Sequence, residues 1–189
     1  MILNMSKARI APLALEEFRA VQRSLGQDTS SPPINVLATV ARNPGLYDAW
    51  LRLGGAVNAD ALPARERELI ILRTAWRCGA EYEWAQHAGF ARTAGLSDAE
   101  IRRVADEGWD EWEASEALLL RTVDELVASH RVTGGTWGAL AQRYPEAVLL
   151  QIFLLAGHYV MLAGLLNSVG VEVESEDMAS LGQAPDRRL

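Results

Sequence analysis

Cysteine is nearly missing from this chain: Cys78 is the single one among 189 residues. One thiol cannot close a disulfide within the chain, which excludes a cystine-stapled secreted scaffold. Three scattered histidines beside that cysteine form none of the familiar zinc spacings. The expectation is a protein of the reducing cytoplasm that uses no metal. Clustered Lys and Arg are missing as well. Eighteen basic against 25 acidic side chains give a net charge of −7 and a sequence pI of about 5.0, which removes the electrostatic footprint of a general nucleic-acid binder. No segment alternates apolar and polar residues long enough to argue for a sheet. Met1 to Lys7 lacks the apolar run and small-residue cleavage site of a secretion signal.

What is present is helical periodicity and enough apolar sequence, 49%, for one domain with its own core. Leu15, Phe18, Val21 and Leu25 fall on one side of a surface helix, with Glu16, Arg19 and Arg23 on the other. This helix belongs to an N-terminal extension, residues 1–32, that ends at a Ser-Pro-Pro break. Residues 33–174 read as a helical domain. Ile34 to Arg42 is a short helix, and Asn43-Pro44 caps one running to about Val57. Pro63 opens a helix that starts charged and becomes apolar, reaching Arg77 before Cys78-Gly79 stops it. Ala80 to Ala94 is closed by Gly95, and Ser97-Asp98-Ala99-Glu100 is a capping box. Glu113 to His130 is amphipathic, with His130 placed to serve the helix dipole. Thr133 to Arg143 and Pro145 to about Asn167 complete the series, and the polar residues 175–189 read as a flexible tail. The fold class is all-α, a compact multi-helix domain.

Ala147 to Val169 is apolar for about 20 residues, enough to cross a bilayer. Gln151, His158 and Asn167 within it are costly in lipid, and no basic flank accompanies it. The expectation is therefore no membrane, a helix buried on all sides, and part of its surface meeting another subunit.

The block with chemical potential runs from Glu68 to His87. Glu83 and His87 are four apart, on one helical face. If the chain reverses at Cys78-Gly79, Glu68 and His87 lie at similar distances from the corner, and a rise of roughly 1.5 Å per residue brings them within about a turn of each other. Two carboxyl groups and an imidazole sharing one pocket have what general acid/base chemistry needs. Spacing alone leaves open a solvated face or a structural histidine. Trp76, Tyr82 and Trp84 are candidate pocket walls, or plain core. Cys78 is a small buried residue or a reactive thiol, and His158-Tyr159 is a core hydrogen-bonding pair or a pocket wall.

Asn43-Pro44-Gly45-Leu46, Leu62-Pro63-Ala64-Arg65-Glu66-Arg67-Glu68, Ala80-Glu81-Tyr82-Glu83-Trp84-Ala85-Gln86-His87, His158-Tyr159-Val160-Met161, Leu166-Asn167 and Gly170-Val171-Glu172 together resemble the carboxymuconolactone decarboxylase family, which includes the alkylhydroperoxidase D proteins. The likeness spans about Asn35 to Glu174. It implies an all-helical oligomer of the alkylhydroperoxidase D-like type, self-associating as a dimer, trimer or hexamer. In the family's peroxidase branch an upstream Glu, a Cys-x-x-Cys pair and a His four residues beyond it activate thiols. Here Glu68 and His87 match the Glu and the His, while Ala80 and Glu83 occupy the two redox positions. Disulfide-cycling, peroxiredoxin-type activity is thus a family-level label without its chemistry in this chain.

The Tyr-Glu-Trp-x-x-His form is closer to the decarboxylase branch, which implies a cofactor-free lyase acting on a small-molecule substrate with Glu68, Glu83 and His87 as acid/base residues. Arg73 and Arg77 are the available candidates for clamping substrate carboxylates, or are equally surface residues. Two alternatives stand beside this reading: an antioxidant peroxidase dependent on Cys78, and a non-catalytic helical oligomer that binds an apolar ligand.

Overall fold

The computed structural model describes residues 8–30, 33–59 and 61–174, which form nine helices and no strand. The expected flexible tail, residues 175–189, lies outside the described residues. Helix boundaries follow the punctuation of the sequence. α1 (Leu15–Ser24) and α2 (Asn35–Val40) are followed by α3 (Pro44–Val57), whose Asn43 side chain accepts the Leu46 N–H at 3.2 Å. α4 (Ala64–Cys78) ends at Gly79, which takes φ 65°, ψ 32°. A left-handed residue of that kind suits glycine and lets the Ala80 N–H reach back to the Ala75 carbonyl. α5 (Glu81–Thr93) leaves that corner, and α6 (Asp98–Arg103) opens with the reciprocal Ser97/Glu100 capping box. α7 (Ala114–Ser129), α8 (Gly134–Arg143) and α9 (Glu146–Val169) follow. His130 caps α7 in a left-handed conformation, φ 59°, with its N–H on the Leu126 carbonyl.

The helix enclosed on all sides is α4, not α9. Residues 68 through 75 of α4 are buried without a break, because α5, α7 and α9 pack around it. Four consecutive side chains, Leu69, Ile70, Ile71 and Leu72, are fully covered, each worth roughly 1.5–3 kcal/mol of burial. α9 passes the length and composition test for a membrane span, with a mean hydropathy of 2.0. Its inner face, Ile152, Leu155, Tyr159 and Leu162 among others, belongs to the main core. Its outer face leaves Leu150, Leu154, Met161 and Leu165 exposed. A helical stripe points this way when only one side of a helix meets the core.

α4 separates two apolar clusters. One lies toward α9, α7 and α2, the other toward α5 and α6 around Trp84, Leu96, Val104 and Trp112. A third, smaller cluster seats α1: Phe18 meets the Tyr47 ring edge-on at 5.9 Å, with Ala38 and Ala41 beside it. The N-terminal segment therefore packs on α2 and α3 of its own chain.

Candidate functional site

The corner at Gly79 folds α5 back along α4, and the count of residues on each side decides which side chains meet. Glu68 and His87 do: the Glu68 carboxylate oxygen Oε2 lies 2.7 Å from His87 Nδ1. Arg67 Nε is 3.7 Å from the other carboxylate oxygen, and Glu68 is only 5% exposed. A buried carboxylate on Nδ1 fixes both the tautomer and the orientation of the ring. Glu83 lies one turn before His87 and is 2% exposed, and neither of its carboxyl oxygens has a hydrogen-bond partner. Burial alone pushes its pKa up to about 9. Glu83 is therefore a neutral carboxylic acid at pH 7, because desolvation penalises the charged form.

Glu83 and His87 line a cavity of about 310 Å³, and Glu68 stands behind His87 rather than at the surface of the space. α3 and α9 supply the facing wall, with Trp50, Leu51 and Leu162 among its apolar parts. His158 stacks parallel to Trp50, centroids 6.2 Å apart, and its Nδ1 is buried without a partner. Burial holds the His158 pKa below the usual histidine value, which keeps the ring neutral. The next residue, Tyr159, meets the His87 ring edge-on at 5.0 Å, and its hydroxyl is 3.5 Å from Asn58 Oδ1. Burial raises the Tyr159 phenol pKa strongly, so it stays protonated. Gly54 faces the His158 ring across the wall, where a Cβ would make an ordinary contact at 3.8 Å. Among the described residues no Lys or Arg lines the space.

Four candidates from the sequence thus share the cavity besides Glu83 and His87: Tyr82, His158 and Tyr159 in its wall, and Glu68 one hydrogen bond away. Three do not. Trp76, Cys78 and Trp84 pack in the cluster on the far side of α4, the two indoles 5.9 Å apart. Successive helical residues point about 100° apart, so Trp84 turns away from the space that Glu83 faces. The half-buried Cys78 takes part there through its carbonyl, which accepts from the Asn167 side chain at 2.9 Å. Arg73 and Arg77 are not clamps either. Both pair with Asp124, at 2.8 and 3.3 Å, and Arg73 also donates to the Val104 and Asp106 carbonyls.

Reading the sequence missed Trp50, Asn58, Gln86 and Phe90, all in the cavity wall. Gln86 and Phe90 flank His87 at −1 and +3 on its own helix, and that spacing was legible. Trp50 and Asn58 arrive through the packing of α3 on α9, a long-range event with no local signal. Among the described residues no group of three His, Cys, Asp or Glu side chains is placed to hold a metal ion.

The sequence profile of the carboxymuconolactone decarboxylase family matches residues 44–120. No curated protein matches the sequence. Among solved structures, the debrominase Bmp8 in complex with 2,3,4-tribromopyrrole superposes with a TM-score of 0.74 at 16% identity, covering 94% of this chain and 97% of that one. The alkylhydroperoxidase AhpD core of a peroxidase-related protein from Ralstonia eutropha gives 0.72 at 18% identity, covering 94% and 98%. A peroxidase-related protein from a Silicibacter species gives 0.70 at 15%, covering 93% and 92%. At these identities the likeness to solved structures establishes a shared all-helical fold.

Proposed function

We infer, from this chain's membership of the carboxymuconolactone decarboxylase family, that it is a cofactor-independent small-molecule lyase working by proton transfer. The observation that carries the reading is the 2.7 Å Glu68–His87 contact in the wall of a cavity that also holds a neutral Glu83. With Glu68 ionised, His87 Nδ1–H donates to it, and the other ring nitrogen, Nε2, is the base.

For a decarboxylation the steps balance as follows. The C–CO₂ bond breaks, its electron pair passes into an adjoining carbonyl as a dienolate, and CO₂ departs. Carbon then takes a proton from an acid in the wall. Glu83 is the acid we assign, because burial keeps it protonated and leaves no competing partner for that proton; His87 Nε2 takes a proton from solvent and passes it to the Glu83 carboxylate, which restores the starting state. The scale of the cavity suits one small ring compound, near the lower end for ligand pockets, and the bound tribromopyrrole in the Bmp8 complex is a ligand of that size. A substrate with two carboxylates finds no cation among the described residues of the wall to hold it. The peroxidase alternative loses its footing because Cys78 lies outside the cavity.

The protein acts in the cytoplasm, outside any membrane. Its exposed α9 stripe is where a second copy of the chain docks. The test is a pH–rate profile on small lactone acids for the native chain and His87→Gln. The expected result is a bell whose alkaline limb falls near pH 9 as Glu83 ionises, and a loss of about 10²–10⁴-fold in the variant with its helical circular dichroism intact. Full activity in His87→Gln would end the proposal.

A further inference from the structure

The cavity wall on α5 carries two neighbouring stripes. Glu83 and His87 form one. Tyr82 and Gln86, each one position earlier, form the other, and that second pair already holds a carboxylate. The Tyr82 hydroxyl donates to Glu174 Oε1 at 2.9 Å, and the Gln86 amide donates to Oε2 at 2.7 Å. The Asn35 backbone N–H donates to Oε1 as well. The Val36 N–H in turn donates to the Tyr82 oxygen at 3.3 Å, which orients that hydroxyl proton toward the carboxylate. Three donors on two oxygens, with no cation among the described residues bonded to them, make a cradle that suits a group able only to accept. Tyr82 is 5% exposed, so its hydroxyl direction is fixed by packing.

A purely structural tether would need no connection to the cavity. This one has it: Tyr82 and Gln86 line the same space as Glu83, both of whose carboxyl oxygens lack a partner, and His158, whose Nδ1 does. Unpaired groups of that kind are costly unless a ligand meets them. We propose that Asn35, Tyr82 and Gln86 form the subsite for the carboxylate of a small monocarboxylic acid, and that Glu174 is its tethered occupant, displaced when substrate enters. A molecule held there by its carboxylate would extend along the wall past Glu83 and His87. The inference deepens the reading of the cavity as a substrate site and rests on it.

The experiment is calorimetric titration of benzoate, with benzamide as control, into the full-length chain and into Glu174→Ala. The expected outcome is benzoate binding at least tenfold tighter in Glu174→Ala, a much smaller gain for benzamide, and loss of the benzoate gain when Gln86→Leu is added. Should Glu174→Ala fail to fold, Glu174→Gln keeps the side chain's size and removes its charge, and a gain of about threefold is expected. Equal benzoate affinity in the native chain and the folded variant, or an equal gain for benzamide, overturns the subsite. Binding is read without turnover, so this failure is separate from failure of the lyase reading, which the His87→Gln rate decides.

Discussion

Two places in this molecule bury ionisable groups, on opposite sides of α4, and they treat them differently. Around Arg73 every demand is met: Asp124 takes two of its donors at 2.8 Å, and the Val104 and Asp106 carbonyls share a third. Around Glu83 the demands stand open. Both of its oxygens and His158 Nδ1 are buried with nothing to bond. A closed network of charge and carbonyls fixes how α4, α6 and α7 meet. An open one adds nothing to the fold, and that is the contrast on which the proposed ligand site rests.

The sharpest way to break this contrast is to remove one member from each side. His87→Gln is expected to cost about 10²–10⁴-fold in rate while the melting temperature stays close to that of the native chain. Arg73→Leu should do the reverse, costing about 3 kcal/mol in urea unfolding, because Asp124 keeps only Arg77 while the two carbonyls lose their donor. If Arg73→Leu proved harmless to stability, the division between a structural and a chemical side would collapse.

Glu83 sharpens the contrast through pH. Its pKa is raised in the folded state, from 4.5 to about 9, so the native chain holds a proton that the unfolded chain releases once pH exceeds the ordinary value. Stability must therefore decline as pH rises through that window. Glu83→Leu removes the decline, and the variant should gain on the order of 3 kcal/mol on the native chain between pH 5 and pH 8, measured by urea unfolding at each pH. The smallest expected effect belongs to Cys78→Ser. It should leave catalytic rate and hydroperoxide consumption unchanged, with a stability change near 0.5 kcal/mol.

Local chemistry made the helices legible. Asn43-Pro44, Gly79 and the Ser97 box each act within a few residues, and the helices begin or end where those residues say. The dyad was legible for a related reason, since a hairpin of known rise converts sequence distance into spatial distance. What could not be read was rotation. Trp84 and Glu83 are adjacent in sequence but point about 100° apart on α5, one into the second cluster and one into the cavity, and only the position of α4 settles which side is the cavity. For α9 the same difficulty appeared at larger scale: uniform apolar composition hides the phase at which its inner stripe meets the core, so total enclosure was expected where the structure leaves Leu150, Leu154, Met161 and Leu165 uncovered. His158 and Tyr159 sit inside because of that phase.

The single-glycine corner makes the interval between Glu68 and His87, 19 positions, a ruler. One residue gained or lost anywhere along it would swing the imidazole through about 100°, and no side-chain adjustment could recover the contact. Insertions and deletions in descendants of this chain must then accumulate elsewhere. A relative that keeps the interval, with the carboxylate and the imidazole at its ends, keeps the geometry in which the two can meet.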